Sequence, residues 1–217
     1  MLEKIKQNIN AILGGVVVLA LFILVSYILQ SYQEEITPYL DSGFFGVLVY
    51  VGIGIFATVF APVSSLPILP VAVSIWGWFG AGVLSVLSWW IGSMIAFLLS
   101  RKYGAQFIKR FVSLKQIERY ESMIPTKDIF ISIILLRIVL PADVLSYALG
   151  LFSKIPLGVY ALATFIGIIP FAFTMAYIGS LPIEFQIGTI IIGSVLFLLV
   201  IKRIVLQITR QEKKKEN

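Results

Sequence analysis

Length, composition and charge place this chain among membrane proteins and exclude several kinds of chemistry. Of its 217 residues, 59% are hydrophobic and 13% are charged, which is more apolar than a typical soluble domain. The chain has no cysteine and no histidine, so it lacks disulfides, thiolate or imidazole metal ligands and the usual nucleophile–histidine pairs. We therefore predict no metal, no cofactor and no enzymatic activity.

The net charge of +6 comes from basic residues that flank apolar segments. Such positions set membrane topology and contact anionic lipid headgroups. We predict membrane lipids as partners and no nucleic acid.

The first apolar run, residues 11–29, follows Lys4 and Lys6, so a signal peptide has to be considered. The run is long for a signal peptide, and the residues after it lack a small-x-small cleavage site. We interpret it as a retained transmembrane helix, followed by an outer loop with the acidic residues Glu34, Glu35 and Asp41.

Prolines interrupt two of the later apolar stretches. Pro62, Pro67 and Pro70 lie within nine residues, and Pro141 divides the stretch 129–152. A continuous helix would lose backbone hydrogen bonds at these positions. Each stretch therefore favours two half-helices that enter the membrane and turn back.

The distribution of basic residues tests this interpretation. Residues 101–127 carry seven Lys or Arg, and residues 202–217 carry six. Both segments fall in the cytoplasm, as the positive-inside rule requires, if 44–79 enters and leaves from outside as one hairpin. The alternative, in which 44–61 crosses by itself, places the seven bases of 101–127 outside.

The sequence thus predicts an all-α integral membrane protein with about four transmembrane helices and two facing re-entrant helical hairpins as an inverted repeat. Both termini lie in the cytoplasm. The predicted segments are an N-terminal helix and outer loop (1–43), a core (44–180) made of hairpin 44–79, helix 80–100, amphipathic linker 101–127, hairpin 128–153 and helix 156–180, and a C-terminal helix with a basic tail (181–217).

Arg137 and Asp143 are the two charges deep within a predicted hairpin. In a structural interpretation Arg137 ends the first half-helix, Asp143 begins the second, and the charges suit the two dipole ends or pair with each other. In a functional interpretation Arg137, the helix start, Ser146 and Tyr147 bind a phosphate or carboxylate, and Asp143 is a gate or proton acceptor. Intramembrane ionisable residues favour the second interpretation without excluding the first.

In the outer hairpin the corresponding break carries Ser64 and Ser65 between its prolines. Their hydroxyls either bond to backbone that Pro67 and Pro70 leave free or line a polar passage. Glycines nearby predict a tight turn and close helix packing, namely Gly77, Gly80 and Gly82, with Gly92 and Gly167 predicted to allow close packing alone.

The stretch "RIVLPADVLSYALGL", followed by "ATFIGIIPFAF" and preceded by "PILPVAVSIWGWFGAGVLSVLSWWIGSMIAFLLSRKYG", resembles the DedA superfamily. It is most similar to the branch called SNARE-associated or VTT-domain proteins, over about residues 44–180. Six positions match that branch's signature: Arg137, Pro141, Asp143, Ser146, Tyr147 and Gly150.

The resemblance implies two facing re-entrant hairpins and the movement of phospholipids or polyprenyl-phosphate carriers between leaflets. It also implies that Arg137 and Asp143 are essential. Many DedA members have an acidic residue in the first hairpin, where this chain has Ser64 and Ser65. That departure favours an uncoupled scramblase over proton coupling.

We therefore predict a lipid transporter, flippase- or scramblase-like, in a bacterial cell membrane, with an anionic headgroup held at the hairpin tips. The alternatives are a proton- or ion-coupled carrier of small solutes and a non-transporting scaffold for membrane-protein assembly. A homo-oligomer is compatible with each of these. The predicted site consists of Arg137, Asp143, Pro141, Ser146, Tyr147 and Gly150 in the inner hairpin and Ser64, Ser65, Pro67 and Pro70 in the outer one.

Overall fold

A computed structural model describes residues 2–36, 43–60, 64–108, 129–139, 142–153, 155–193 and 195. Within these residues every regular element is helical, which confirms the predicted all-α class. The helices are α1 (Leu2–Ser31), α2 (Gln33–Ile36), α3 (Phe44–Val59), α4 (Leu69–Ile108), α5 (Ile129–Val139), α6 (Ala142–Phe152), α7 (Leu157–Gly179) and α8 (Ile183–Gly193), with a 3-10 turn at Leu66–Ile68.

Helix boundaries coincide with both predicted proline breaks. Helix α3 ends at Val59 and α4 begins at Leu69, so Pro62 and Pro67 lie between them. Pro70 is the second residue of α4, where the missing backbone N–H removes no intrahelical bond. In the second stretch Pro141 lies in the two-residue interval between α5 and α6.

Helix α4 folds back on itself at Gly77. This glycine has φ 67° and ψ 170°, a conformation that residues with a Cβ essentially do not adopt. Trp89 Nε1 donates to Ser65 Oγ over 2.8 Å, although the two residues are 24 positions apart; on one straight helix they would be about 36 Å apart. Of the three glycines that predict a tight turn, Gly77, Gly80 and Gly82, it is Gly77 that makes it. The long helix that follows begins at residue 78 and reaches a second positive-φ glycine, Gly104 (φ 69°).

Helix α3 runs in the same direction as the part of α4 beyond Gly77. Tyr50 Oη lies 2.7 Å from Ser85 Oγ, and at the end of α3 the side chain of Thr58 packs against Gly92. Later residues of α3 thus meet later residues of α4. Because the chain reverses between these two segments, residues 69–76 run in the opposite direction.

Helix α7 runs antiparallel to the part of α4 beyond Gly77. Trp78 contacts Tyr177, with ring centroids 5.9 Å apart, while Phe97 stacks on Tyr160 at 3.9 Å. Gly82 allows this approach, because a Cβ there would lie 2.9 Å from the ring of Phe173. The two helices form the frame on which the broken segments pack.

Helices α5 and α6 pack on different members of this frame and run in opposite directions. Helix α5 is parallel to α7, since Ile133 shares a core cluster with Tyr160 and, further on, Arg137 packs against Gly167. Helix α6 is parallel to the part of α4 beyond Gly77, since Ser146 and Ser93 both bond to Arg137 and, further along both helices, Gly150 packs against Phe97. The chain therefore also folds back between α5 and α6.

Helix α1 covers the start of α4 and the end of α7. Phe22 lies in a buried cluster with Leu69 and Ile178, and Gln30 bonds to the backbone of Leu181 and Ile183. The predicted helix over 11–29 is thus longer in the structure. The predicted amphipathic linker lies outside the described residues after residue 108. The predicted C-terminal helix lies outside them after residue 195.

Two helices in the described part of the chain are long and apolar enough to cross a membrane, judged by length and composition. They are Leu66–Gly104, which includes the fold at Gly77, and Leu157–Gly179. The predicted count of about four crossings stays a prediction.

Replacing Gly77 by alanine is expected to lower the free energy of unfolding by about 1–3 kcal/mol, because the new Cβ strains the backbone at positive φ. Gly52→Ala is the matched control: Gly52 is helical, and a Cβ there meets no atom within 4 Å. Denaturant titration of both variants in detergent micelles measures the difference. Equal stabilities would contradict the strained conformation at Gly77.

Candidate functional site

Arg137 lies in the last turn of α5 and is buried, with 3% of its surface exposed. A cation at a helix C-terminus faces the negative end of the helix dipole and the last carbonyl groups. This position fits the structural interpretation of the sequence, in which Arg137 ends the first half-helix and suits its dipole. The same position directs a full charge into the interior of the protein.

Three hydroxyl groups from three other helices hold the guanidinium of Arg137. It donates to Ser93 Oγ on α4 at 3.3 Å, to Ser146 Oγ on α6 at 2.9 Å and to Tyr160 Oη on α7 at 2.7 Å. These three bonds fix the orientation of the guanidinium. Arg137 is thus the point at which α4, α5, α6 and α7 meet.

Tyr160 is fixed at both ends of its side chain. Its hydroxyl accepts from Arg137 and donates to the carbonyl of Ser93 over 3.2 Å. Its ring stacks on Phe97, with an interplanar angle of 11°. Since Tyr160 is fully buried, it gives Arg137 a rigid acceptor.

Arg101 extends this packing towards the end of α6. Its guanidinium lies 4.3 Å from the centroid of the Phe97 ring and donates to the carbonyl groups of Ile155 at 2.9 Å and Ser153 at 2.8 Å. These carbonyls follow the last residue of α6, where helical partners are lacking. Arg101 therefore attaches the end of α6 to α4.

Tyr147 connects the two broken segments. Its side chain is fully buried, and its hydroxyl donates to the carbonyl of Val59. Val59 is the last residue of α3, so its carbonyl has no acceptor role within its own helix. This contact brings α6 against the point where α3 ends.

Ser64 and Ser65 act within the first break. Ser64 Oγ accepts from the backbone N–H two residues further on, at 3.3 Å, and Ser65 Oγ accepts from Trp89. Pro67 lies in the 3-10 turn, and the carbonyl of Pro70 accepts from Ser74 Oγ at 3.0 Å. The bonds described for these four predicted residues shape the break, and none of them goes to Arg137.

Gly150 is the point of closest approach between α6 and α4. A Cβ at this position would lie 1.8 Å from Ser100 Oγ and 2.5 Å from the carbonyl oxygen of Phe97. The absence of a side chain lets α6 lie directly on α4. Ser146, one turn earlier, is thereby brought to the guanidinium of Arg137.

Asp143 is the second residue of α6, so it lies at a helix start, as the sequence predicts. Its side chain and the whole of Pro141 are outside the described residues. The predicted pairing of Asp143 with Arg137 accordingly stays a prediction.

Sequence reasoning did not identify Ser93, Tyr160 or Arg101 as part of this site. Two signals were present, however. Ser93 is adjacent to the packing glycine Gly92, and Tyr160 lies seven residues before Gly167, on the same helix face. A polar side chain beside a glycine that allows close packing is well placed to face a buried charge.

Removing the hydroxyl of Tyr147 is expected to lower the free energy of unfolding by about 1–3 kcal/mol, because Tyr147→Phe leaves a buried carbonyl of Val59 without this donor. Tyr177→Phe is the control, since Tyr177 is half exposed. Denaturant titration in micelles compares the two. A Tyr147→Phe protein as stable as the control would show that the contact between the broken segments is not stabilising.

Comparison with known proteins identifies the family of this chain. The sequence profile of the VTT domain matches residues 61–181, which is more than half of the chain and includes the first break, both long helices and the whole Arg137 network. Among curated proteins and solved structures, no chain matches this sequence. The chain therefore belongs to the VTT-domain family, the DedA/SNARE-associated family of membrane proteins.

Proposed function

We propose that this protein moves phosphate-bearing lipids, either phospholipids or polyprenyl-phosphates, between the two leaflets of a membrane. The observation that carries the proposal is the buried guanidinium of Arg137, oriented by three hydroxyl groups where the folded-back segments meet. A phosphate suits this group, because the planar guanidinium offers donors in a fixed fork. The headgroup binds there while the acyl chains remain in the lipid.

Helix lengths support re-entrant segments. Helix α3 has 16 residues, or about 24 Å, whereas the hydrocarbon core is about 30 Å thick. It is therefore too short to cross alone. The reversal of direction between α5 and α6 supports the same arrangement in the second segment, and two facing hairpins shorten the apolar barrier from both sides.

Two glycine contacts support an inverted repeat. A Cβ on Gly92 would lie 2.6 Å from Thr58 Cβ and 3.1 Å from the carbonyl oxygen of Ile55. A Cβ on Gly167 would lie 2.8 Å from Arg137 Cβ and 3.3 Å from the carbonyl oxygen three residues earlier. The same packing thus recurs in both halves. In the two halves the helices run in opposite directions, the arrangement that places a transporter's site near the bilayer midplane.

The two halves of the repeat differ chemically at one equivalent position. The position that Arg137 occupies in the inner hairpin is taken by Thr58 in the outer one, and Thr58 donates to the carbonyl of Gly54 in its own helix at 2.9 Å. One half therefore offers a cation and the other a neutral side chain. This asymmetry supports a single headgroup site, in keeping with an uncoupled scramblase.

The proposal places the protein in a bacterial cell membrane, with both termini and the basic segment 101–127 in the cytoplasm. Its partners are membrane lipids with anionic headgroups, and it catalyses no covalent step. A buried arginine costs about 2.5–3.5 kcal/mol on insertion scales. A phosphate bound at Arg137 adds charge-assisted hydrogen bonds, which gives the arginine a function beyond holding the break.

Reconstitution into liposomes tests the proposal. Purified protein is inserted into phosphatidylcholine vesicles that contain a fluorescent phosphatidylglycerol, and dithionite bleaches the probe in the outer leaflet. We expect the inner-leaflet probe to become accessible only in vesicles that contain protein, with no change in a trapped pH dye. A protected inner pool would support the scaffold instead, and solute uptake driven by a pH jump would support the coupled carrier.

A further inference from the structure

Thr164 on α7 carries a buried hydroxyl that the structure leaves without a partner. Its side chain is fully buried, and Oγ1 has no hydrogen-bond partner among the described residues. Buried hydroxyls in proteins are nearly always paired. The few that are not call for an explanation, such as an absent ligand.

A helical threonine has a simple way to pair its hydroxyl, which is to donate to the carbonyl four residues earlier. Thr58 does so, with a bond to Gly54 O of 2.9 Å. Thr164 has the carbonyl of Tyr160 in the equivalent place and makes no such bond. Its hydroxyl is therefore available to an acceptor that is not part of this helix.

The position of Thr164 indicates what that acceptor is. Tyr160, Thr164 and Gly167 lie on one face of α7, because residues three and four apart share a face. Tyr160 bonds to the guanidinium of Arg137 at 2.7 Å, and Gly167 packs against the Cβ of Arg137. Thr164 lies between these two contacts along the same face of α7.

We propose that Thr164 Oγ1 donates a hydrogen bond to a phosphate oxygen of the ligand that Arg137 binds. The inference rests on the proposed function and extends it by a second recognition residue. A cation and a hydroxyl donor together select a group with several acceptor oxygens. A phosphate ester meets this requirement, whereas an uncharged sugar headgroup presents no anion to Arg137.

This assignment has an unusual consequence for stability. Replacing Thr164 by valine keeps the shape of the side chain and removes a hydroxyl that has no partner in the unloaded protein. Thr164→Val is therefore expected to be as stable as the wild type or more stable. Thr58→Val, which removes a paired hydroxyl, is the matched control for stability and is expected to be slightly less stable than the wild type.

The test measures phosphatidylglycerol exchange in liposomes for the wild type, Thr164→Val, Thr164→Ser and Thr58→Val, with Arg137→Gln as reference. We expect Thr164→Val to slow exchange about tenfold and Thr164→Ser to restore it, since one hydrogen bond to a charged group changes a rate by about that factor. Binding is measured separately, as the thermal stabilisation of micellar protein by dihexanoyl-phosphatidylglycerol or by inorganic phosphate. The ligand concentration that gives half-maximal stabilisation is expected to be about tenfold higher for Thr164→Val than for the wild type.

The two phosphate probes distinguish the source of the ligand. If only the short-chain lipid stabilises the protein, the contact belongs to a lipid headgroup. If inorganic phosphate stabilises it equally, the contact belongs to free phosphate. In both cases, a loss of that stabilisation in Thr164→Val supports the inference. Exchange and binding at wild-type levels in Thr164→Val, with slow exchange in Arg137→Gln, would overturn the inference and leave the proposed function in place. Wild-type exchange in Arg137→Gln would overturn both. A Thr164→Val protein that is less stable than Thr58→Val would assign the hydroxyl a structural role and overturn the inference alone.

Discussion

Replacing Arg137 by glutamine is expected to slow phosphatidylglycerol exchange about 100-fold. Hydrogen bonds to charged groups contribute about 1.5–3 kcal/mol, and each 1.36 kcal/mol changes a rate tenfold. Glutamine retains a donor for Ser146 or Tyr160 but carries no charge. The change therefore removes recognition of the phosphate while it leaves part of the hydroxyl network in place.

Arg137→Lys separates the effect of the positive charge from the effect of the planar guanidinium. Lysine keeps the positive charge and loses the planar fork, so exchange is expected to fall between the wild type and Arg137→Gln. Lys102→Gln is the control for loss of one positive charge, because Lys102 is exposed at the end of α4. Exchange at the wild-type rate in both Arg137 variants would mean that the charge only holds the helix break together.

Replacing Gly150 by alanine is expected to have the largest effect on stability, a loss of about 3 kcal/mol. The added Cβ would lie 2.5 Å from the backbone oxygen of Phe97, which cannot rotate away as a side chain can. Helix α6 would have to move off α4, and Ser146 would leave Arg137. Lipid exchange is expected to be lost together with stability.

A second substitution tests this steric explanation. Ser100→Ala removes the Oγ atom that lies 1.8 Å from the added Cβ, so it should restore part of the stability of Gly150→Ala, while the clash with Phe97 persists. Gly188→Ala is the control, since a Cβ there meets no atom within 4 Å. Denaturant titration in micelles compares the wild type, Gly150→Ala, the double variant Gly150→Ala/Ser100→Ala and Gly188→Ala. A stable Gly150→Ala protein would contradict the close contact between α6 and α4.

The helix breaks could be predicted from the sequence because their causes are local. Proline removes a backbone donor wherever it occurs, so Pro62, Pro67 and Pro141 mark helix boundaries without reference to the rest of the chain. The position of Arg137 in a last helical turn follows from Pro141 in the same way. The first turn was harder to locate, because Gly77, Gly80 and Gly82 all permit it and tertiary packing selects Gly77.

The partners of Arg137 could not be predicted, because they come from distant parts of the chain. Ser93 is 44 residues away and Tyr160 is 23 residues away, and their approach depends on the antiparallel packing of α4 and α7. Thr164 shows the same limit. Its sequence context is that of any threonine in an apolar helix, and only the fold shows that its hydroxyl is buried without a partner.

The most direct test of the central claim compares two slowly flipping lipids in the same vesicles. Fluorescent phosphatidylglycerol carries the phosphate that Arg137 is proposed to bind, and fluorescent glucosylceramide has a headgroup of similar polarity without one. The rate of leaflet exchange is measured for each with wild-type protein. We predict rapid exchange of phosphatidylglycerol and exchange of glucosylceramide at the rate of protein-free vesicles; equal acceleration of both lipids would contradict phosphate recognition at Arg137.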